Sequence, residues 1–167
     1  MAELTPQERL QPALLDRLTD DERGQTAESR DQRVLSVQRL RAALLRDLAW
    51  LLNTGHLATV EDLEDYPEVA RSALNYGIPD LTGLTIAGAD TAGIEKAVRQ
   101  AILDFEPRIA PQSLHVSVQA KSDGIARSAM VFRIEGELWA KPSPQTLYLK
   151  TEVDLETGNV TVSEGQA

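Results

Sequence analysis

The sequence predicts an α+β domain in which N-terminal helices pack on a C-terminal antiparallel sheet. The hydrophobic pattern carries this prediction: apolar residues recur at three- and four-residue steps early in the chain and alternate with polar residues after residue 112. The 167 residues suffice for one domain with a sizeable core, and a hydrophobic share of 42% excludes compositional disorder. We divide the chain into an N-terminal arm, residues 1–30, and a single domain, residues 31–167.

The arm is polar apart from the stretch "PALLDRL", for which we expect a short helical turn. The clearest helix follows over residues 31–53 and stops at an Asn-Thr-Gly sequence. Trp50 is expected in the core of the domain or at the rim of that core. The apolar face of this helix consists of Val37, Leu40, Leu44, Leu48 and Leu51.

The next segment reads as a connector with one short helix, which would start at Pro67 and end before a left-handed Gly77. A further helix is expected over residues 91–105, capped by Asp90 or Thr91. Its apolar face consists of Ile94, Val98, Ile102 and Phe105.

Four strands are predicted from the change to a two-residue period. The first two are "SLHVSVQA", residues 113–120, and "SAMVFRIEGELWA". The last two cover residues 146–154 and 159–163 around a turn at "ETGN". The final strand has no proline and no charge before Glu164, so it is a candidate open edge; pairing with strand 113–120 is the alternative.

The stretch "FEPRI", residues 105–109, places opposite charges around a proline. Pro107 disfavours helical backbone at Glu106, so the helix should end near Phe105. An extended chain then projects Glu106 and Arg108 to the same side, and we expect both to be exposed. A carboxylate is unfavourable at a helix C-terminus by about 0.3–1 kcal/mol, which favours a recognition role. The alternative is an exposed ion pair that merely marks the end of the helix.

Composition limits the chemistry and the partners. The absence of cysteine excludes disulfides and thiolate sites, and His56 and His115 lack metal-ligand spacing, so we expect neither metal nor cofactor. A net charge of −9 argues against nucleic acid. No apolar run is long enough to cross a membrane, and the N-terminus lacks a signal-peptide pattern, so we expect a cytoplasmic protein.

The quoted features come together in a family resemblance. "LRDLAWLLNT", "YPEVARSALNYGIPDLTG", "FEPRI" and "GELWAKPSPQTLYLKTEVDLETGNV" occur in the order and spacing of TssE, and the opening "QPALLDRLTDDER" is similar too. The chain thus resembles TssE, a baseplate protein of bacterial type VI secretion systems related to wedge and sheath-initiator proteins of contractile-tailed phages. The resemblance runs from about residue 9 to residue 162.

The resemblance implies a structural function rather than an enzymatic one. The triplet Glu106, Pro107 and Arg108 matches the family signature and is expected to dock onto the wedge subunits TssF and TssG. The resemblance also implies that the sheath proteins TssB and TssC add strands to an edge of the sheet, a form of β-augmentation. Our candidates for that edge are the last two strands, with Val160, Thr161 and Val162 as contact residues.

A cell-wall glycosidase is the runner-up, because some members of the family are labelled lysozyme-like. Such an enzyme needs two carboxylates flanking the sugar and usually a platform of aromatic side chains. The chain has only seven aromatic residues, and two of them lie on predicted core faces. We therefore expect no catalytic activity. An acidic adaptor unrelated to secretion is a third interpretation.

Overall fold

The structure is a computed structural model that describes residues 14–19, 37–82, 90–120, 129–138, 145–155 and 157–165. Within these ranges lie four α-helices, two single 3-10 turns and four strands. The helices are α1 (Leu14–Leu18), α2 (Val37–Leu52), α3 (Pro67–Ala70) and α4 (Thr91–Phe105). The strands are β1 (His115–Ala120), β2 (Ala129–Leu138), β3 (Gln145–Asp154) and β4 (Val160–Glu164).

The α+β prediction is confirmed. The four strands form one antiparallel sheet in the order β1-β2-β3-β4, so each strand pairs with its neighbour along the chain. β4 and β1 lie at opposite edges, and the alternative in which strand 113–120 pairs with the last strand is wrong. Helices α2 and α4 pack against each other, α2 beside β4 and α4 beside β1.

The core lies between these two helices and one face of the sheet. The predicted apolar faces are confirmed in α2 by Leu40, Leu44, Leu48 and Leu51, and in α4 by Ile94, Val98 and Ile102, all of which are buried. The start of the predicted helix, residues 31–36, lies outside the described residues. The expectation for Trp50 is wrong: its side chain is 51% exposed and lies under the Arg46 guanidinium, 5.2 Å from the ring centroid.

The connector between α2 and α4 holds less helix than expected. Pro67 does begin a helix, but α3 ends after one turn, and a 3-10 turn over Ala73–Asn75 follows, capped by the Ser72 hydroxyl. Gly77 then adopts a φ of +130°. A Cβ atom there would lie 2.2 Å from the backbone oxygen of Thr54, so only glycine allows this close approach.

Helix α4 begins and ends where the sequence predicts. The Asp90 side chain caps its N-terminus by accepting a hydrogen bond from the Gly93 N–H. The last helical residue is Phe105, and the Glu106 N–H still donates to the Ile102 carbonyl. Ile109, four residues after the helix end, is buried and bridges to Leu138 of β2. The chain therefore turns inward from α4 to the sheet.

Candidate functional site

Glu106 is buried, with only 4% of its surface exposed, so the prediction that it is exposed is wrong. The physical reason is the path of the backbone after α4. Ile109 is anchored in the core and the Ala110 N–H donates to the Glu137 carbonyl, which draws the Glu-Pro-Arg segment against α2. The carboxylate that leaves helix α4 thus points into the protein rather than towards water.

Arg108 compensates the buried charge of Glu106. Its Nε donates to Glu106 Oε1 at 2.6 Å and its Nη2 to Glu106 Oε2 at 2.5 Å, a bidentate pair. Nη2 also donates to Asp47 Oδ2 of α2 at 2.6 Å. Only 22% of the Arg108 side chain is exposed, so its expected exposure is also wrong. The prediction that residues 106 and 108 are neighbours on one side holds, and their proximity makes this pair possible.

The ion pairs continue beyond Asp47 into the N-terminal arm. Arg46 donates from Nε to Asp47 Oδ1 at 2.9 Å and from Nη1 to Asp16 Oδ1 of α1 at 2.6 Å. We call the row Asp16–Arg46–Asp47–Arg108–Glu106 the charge line, because acidic and basic side chains alternate along it. It connects the arm, the long helix α2 and the Glu-Pro-Arg segment.

The pKa values of the two arginines follow from this row. Burial lowers the pKa of Arg108, but the hydrogen bonds and charge of Glu106, followed by those of Asp47, outweigh it and raise the pKa. The hydrogen bond to Asp16 is the largest influence that raises the pKa of Arg46. Both arginines of the charge line therefore stay charged.

A cavity of about 270 Å³ opens beside the charge line, and we call it the docking pocket. Its apolar wall includes Trp50, Tyr76 and Phe105, and the last two rings meet edge to face with centroids 5.1 Å apart. Burial, and then the charges of Asp47 and Glu106, raise the pKa of Tyr76. Aromatic side chains beside paired charges are typical of protein-binding surfaces.

Sequence reasoning missed Asp47 and Asp16 as members of the site. Asp47 lies 61 residues before Arg108, and Asp16 lies 30 residues before Arg46, so local patterns do not connect them. The one available signal was Asp47 itself, an acidic residue next to Arg46 in a helix whose polar face otherwise carries arginines.

The second predicted site, in β4, lies at an edge of the sheet. The Asp154 N–H donates to the Asn159 carbonyl and the Gly165 N–H to the Tyr148 carbonyl. Because alternate residues of an antiparallel strand bond to the same neighbour, Thr161 and Ser163 bond to β3. The backbone groups of residues 160, 162 and 164 therefore point away from the sheet.

The outward backbone groups of Val160 nevertheless already have hydrogen-bond partners. Its N–H donates to Asn53 Oδ1 and its carbonyl accepts from Asn53 Nδ2, both at 2.8 Å. The side chain of Asn53, which directly follows α2, therefore takes the place of a neighbouring strand at this position. Val162 and Glu164 remain as the outward-facing backbone positions of β4. The side chains alternate as predicted: Val160 is buried, Val162 packs against the core and Thr161 is exposed.

At the opposite edge, side chains of α4 bond to two backbone positions, one just before β1 and one within it. Glu95 accepts a hydrogen bond from the Val118 N–H at 2.7 Å, and Arg99 Nε donates to the Leu114 carbonyl at 3.2 Å. Side chains that satisfy edge groups in this way protect a sheet from further pairing. Among the described residues, side chains thus bond to some outward positions of both edges: Leu114 and Val118 at the β1 edge, and Val160 at the β4 edge.

The described part of the chain contains no group of three or more His, Cys, Asp or Glu side chains that could hold a metal ion. Within the same ranges, no helix is long and apolar enough to cross a membrane. The charged side chains of the site are engaged with one another rather than arranged around a vacant centre.

A comparison with protein families identifies the chain. The family described as baseplate wedge protein gp25 matches residues 38–143, which is more than half of the sequence and includes the whole Glu-Pro-Arg segment. The chain belongs to the gp25 family of baseplate wedge proteins. Membership of the gp25 family gives it a structural role in the baseplate of a contractile injection system. No curated protein and no solved structure is significantly similar to the chain.

Proposed function

We propose that this gp25-family protein is the TssE component of a type VI secretion baseplate. In this proposal it docks onto the wedge subunits TssF and TssG through the Glu-Pro-Arg segment. It starts assembly of the TssB–TssC sheath at the β4 edge. The observation that carries the proposal is the combination of family membership with an edge strand, β4, in which the backbone positions Val162 and Glu164 face outward.

The three residues of the Glu-Pro-Arg segment have different roles in this proposal. Arg108 lines the docking pocket and keeps part of its side chain exposed, so it is the group that a wedge subunit contacts. Glu106 is a positioning residue, because its buried carboxylate holds the guanidinium in place through two hydrogen bonds. Pro107 ends helix α4 and directs the segment towards α2.

Sheath assembly would use the backbone of β4. A strand of a sheath subunit that pairs with Val162 and Glu164 extends the four-stranded sheet without disturbing its core. Backbone hydrogen bonds supply affinity in such an arrangement, and the alternating side chains supply specificity. Asn53 occupies the other end of β4, so the added strand has a defined register relative to Val160.

The proposed function includes no catalysis. The carboxylates beside the docking pocket, Asp47 and Glu106, both accept hydrogen bonds from Arg108. One arginine thus engages both carboxylates, whereas a glycosidase needs two carboxylates that flank a sugar. We therefore propose no glycosidase function, no cofactor and no nucleic-acid partner, and a location in the cytoplasm.

Proline substitutions test the β4 edge. Val162→Pro removes an outward backbone donor, which edge strands tolerate, whereas Thr161→Pro removes a donor that bonds to β3. We expect Val162→Pro to melt close to the wild type but to abolish sheath assembly, scored as fluorescent sheath structures in cells. Val162→Ala, which keeps the N–H, is the matched control and should assemble sheaths.

Thr161→Pro should instead lower the melting temperature, because it breaks the β3–β4 ladder. The sequence analysis named Thr161 as a contact residue for an added strand, but its backbone bonds to β3. Sheath assembly at wild-type frequency with Val162→Pro would exclude β4 as the initiating edge, while retained co-purification with wedge subunits would leave the docking role intact.

A further inference from the structure

Helix α1 of the arm lies on the docking pocket. Leu15 forms part of the pocket wall, and the neighbouring Asp16 forms the outermost ion pair of the charge line, with Arg46. A segment of this chain therefore covers the surface on which Arg108 lies.

Helix α1 is only partly buried against this surface. Leu14 and Leu18 are 70% and 73% exposed, and Leu15, the residue that enters the pocket wall, is still 44% exposed. The Asp16–Arg46 ion pair is partly open to water, and such pairs contribute little to stability. A helix of five residues also has little stability of its own.

The fit between α1 and the pocket also leaves polar atoms unsatisfied. Asp16 Oδ2, Arg46 Nη2 and Arg108 Nη1 are buried but have no hydrogen-bond partner within the part of the chain that the structure describes. Arg46 Nη2 lies 2.8 Å from Asp47 Oδ1, close enough for an ion pair but without the angle of a hydrogen bond. Buried polar atoms without partners are costly, so a ligand that satisfied them would bind better than α1.

We propose that α1 is an occupant of the docking pocket in the free protein, and that the pocket's partner is a helix of the same chemistry on another baseplate subunit. That helix would carry a carboxylate beside leucines, so that its carboxylate replaces Asp16 on Arg46 and reaches Arg108 Nη1. The inference rests on the proposed docking role of Arg108 and adds the class of partner and the displacement of α1.

Tethering sets the size of the effect. A segment of the same chain competes with an incoming ligand at an effective concentration that the connecting residues set. The apparent affinity of an incoming helix is reduced by the fraction of molecules in which the pocket is open. If α1 covers the pocket in about nine molecules of ten, its release lowers the apparent dissociation constant of such a helix about tenfold.

The test titrates the full-length ¹⁵N-labelled protein with a synthetic peptide of residues 11–20. Binding is followed through the indole N–H signal of Trp50, which Trp50→Phe assigns. Asp16→Lys in the protein repels Arg46 and should release α1, so this variant should bind the peptide about tenfold more tightly than the wild type. Asp65→Lys makes the same charge change at an exposed position and should bind like the wild type.

Two further comparisons assign the effect to the site. A peptide that itself carries Asp16→Lys should not bind, and adding Arg46→Gln to the Asp16→Lys protein should weaken binding of the original peptide. Equal affinity of the wild type and Asp16→Lys, or no binding to Asp16→Lys, would overturn the proposal. The titration needs no other baseplate protein, so its failure is distinguishable from loss of wedge binding, which would contradict the proposed function instead.

Discussion

Replacing Arg108 with glutamine should destabilise the isolated protein strongly. Arg108 donates three short side-chain hydrogen bonds, two to Glu106 and one to Asp47. Without them, the one hydrogen bond that the Glu106 side chain keeps from the described residues is that of the backbone N–H of residue 108, at 3.2 Å. Its carboxylate is 4% exposed, so water cannot replace the lost donors.

The size of the loss follows from this burial. Removing one partner of a buried ion pair costs about 3–5 kcal/mol, because the other charge remains buried without compensation. Arg108 is 22% exposed, which favours the lower end, about 3 kcal/mol. For a chain of 167 residues, this loss corresponds to a fall in melting temperature of about 6–12 °C.

Urea denaturation followed by circular dichroism measures the loss, and Arg46→Gln is the matched control. Arg46 also forms two ion pairs, but its side chain is 35% exposed, so its loss should cost about 1 kcal/mol or less. The double variant Glu106→Gln with Arg108→Gln removes both charges and should recover part of the stability lost in Arg108→Gln. Equal losses of stability for Arg108→Gln and Arg46→Gln would refute the claim that burial of Glu106 makes the loss of Arg108 more costly.

Three further predictions concern other parts of the fold. Gly77→Ala should lower stability by more than about 1 kcal/mol, because its Cβ would collide with the Thr54 carbonyl at a φ of +130°. Asn53→Ala should cost about 1–3 kcal/mol by leaving the Val160 N–H and carbonyl without their partner, measured by thermal melting. Burial raises the pKa of Tyr76, so its neutral form contributes stability below pH 10.0 that is lost as the pH rises further; Tyr76→Phe should remove this alkaline loss in urea titrations.

The fold was accessible from the sequence because its signals are local. The two-residue period identifies all four strands, and the three- to four-residue period identifies α2 and α4. Proline and aspartate mark the ends of α4 because each acts on the backbone within a few residues. The short elements of the connector were harder to predict, since α3 and the 3-10 turn have too few residues to show a period.

The candidate site was only partly accessible. The Glu-Pro-Arg triplet could be found from its residue types, but its burial depends on Asp47 in a helix far earlier in the chain and on Ile109 in the core. Helix α1 could be expected from its leucines, whereas its position over the docking pocket depends on the ion pair between Asp16 and Arg46. Contacts between distant segments carry this part of the site, and no local pattern encodes them.

The structural role in a baseplate is tested most directly by affinity purification of the tagged full-length chain, at native expression level, from cells that carry a contractile injection system. We predict that wedge subunits co-purify with the wild type and with Val162→Pro, and that the purified protein alone does not cleave peptidoglycan. Recovery of the chain without wedge subunits, from cells in which those subunits still assemble with one another, would contradict a structural role in the baseplate.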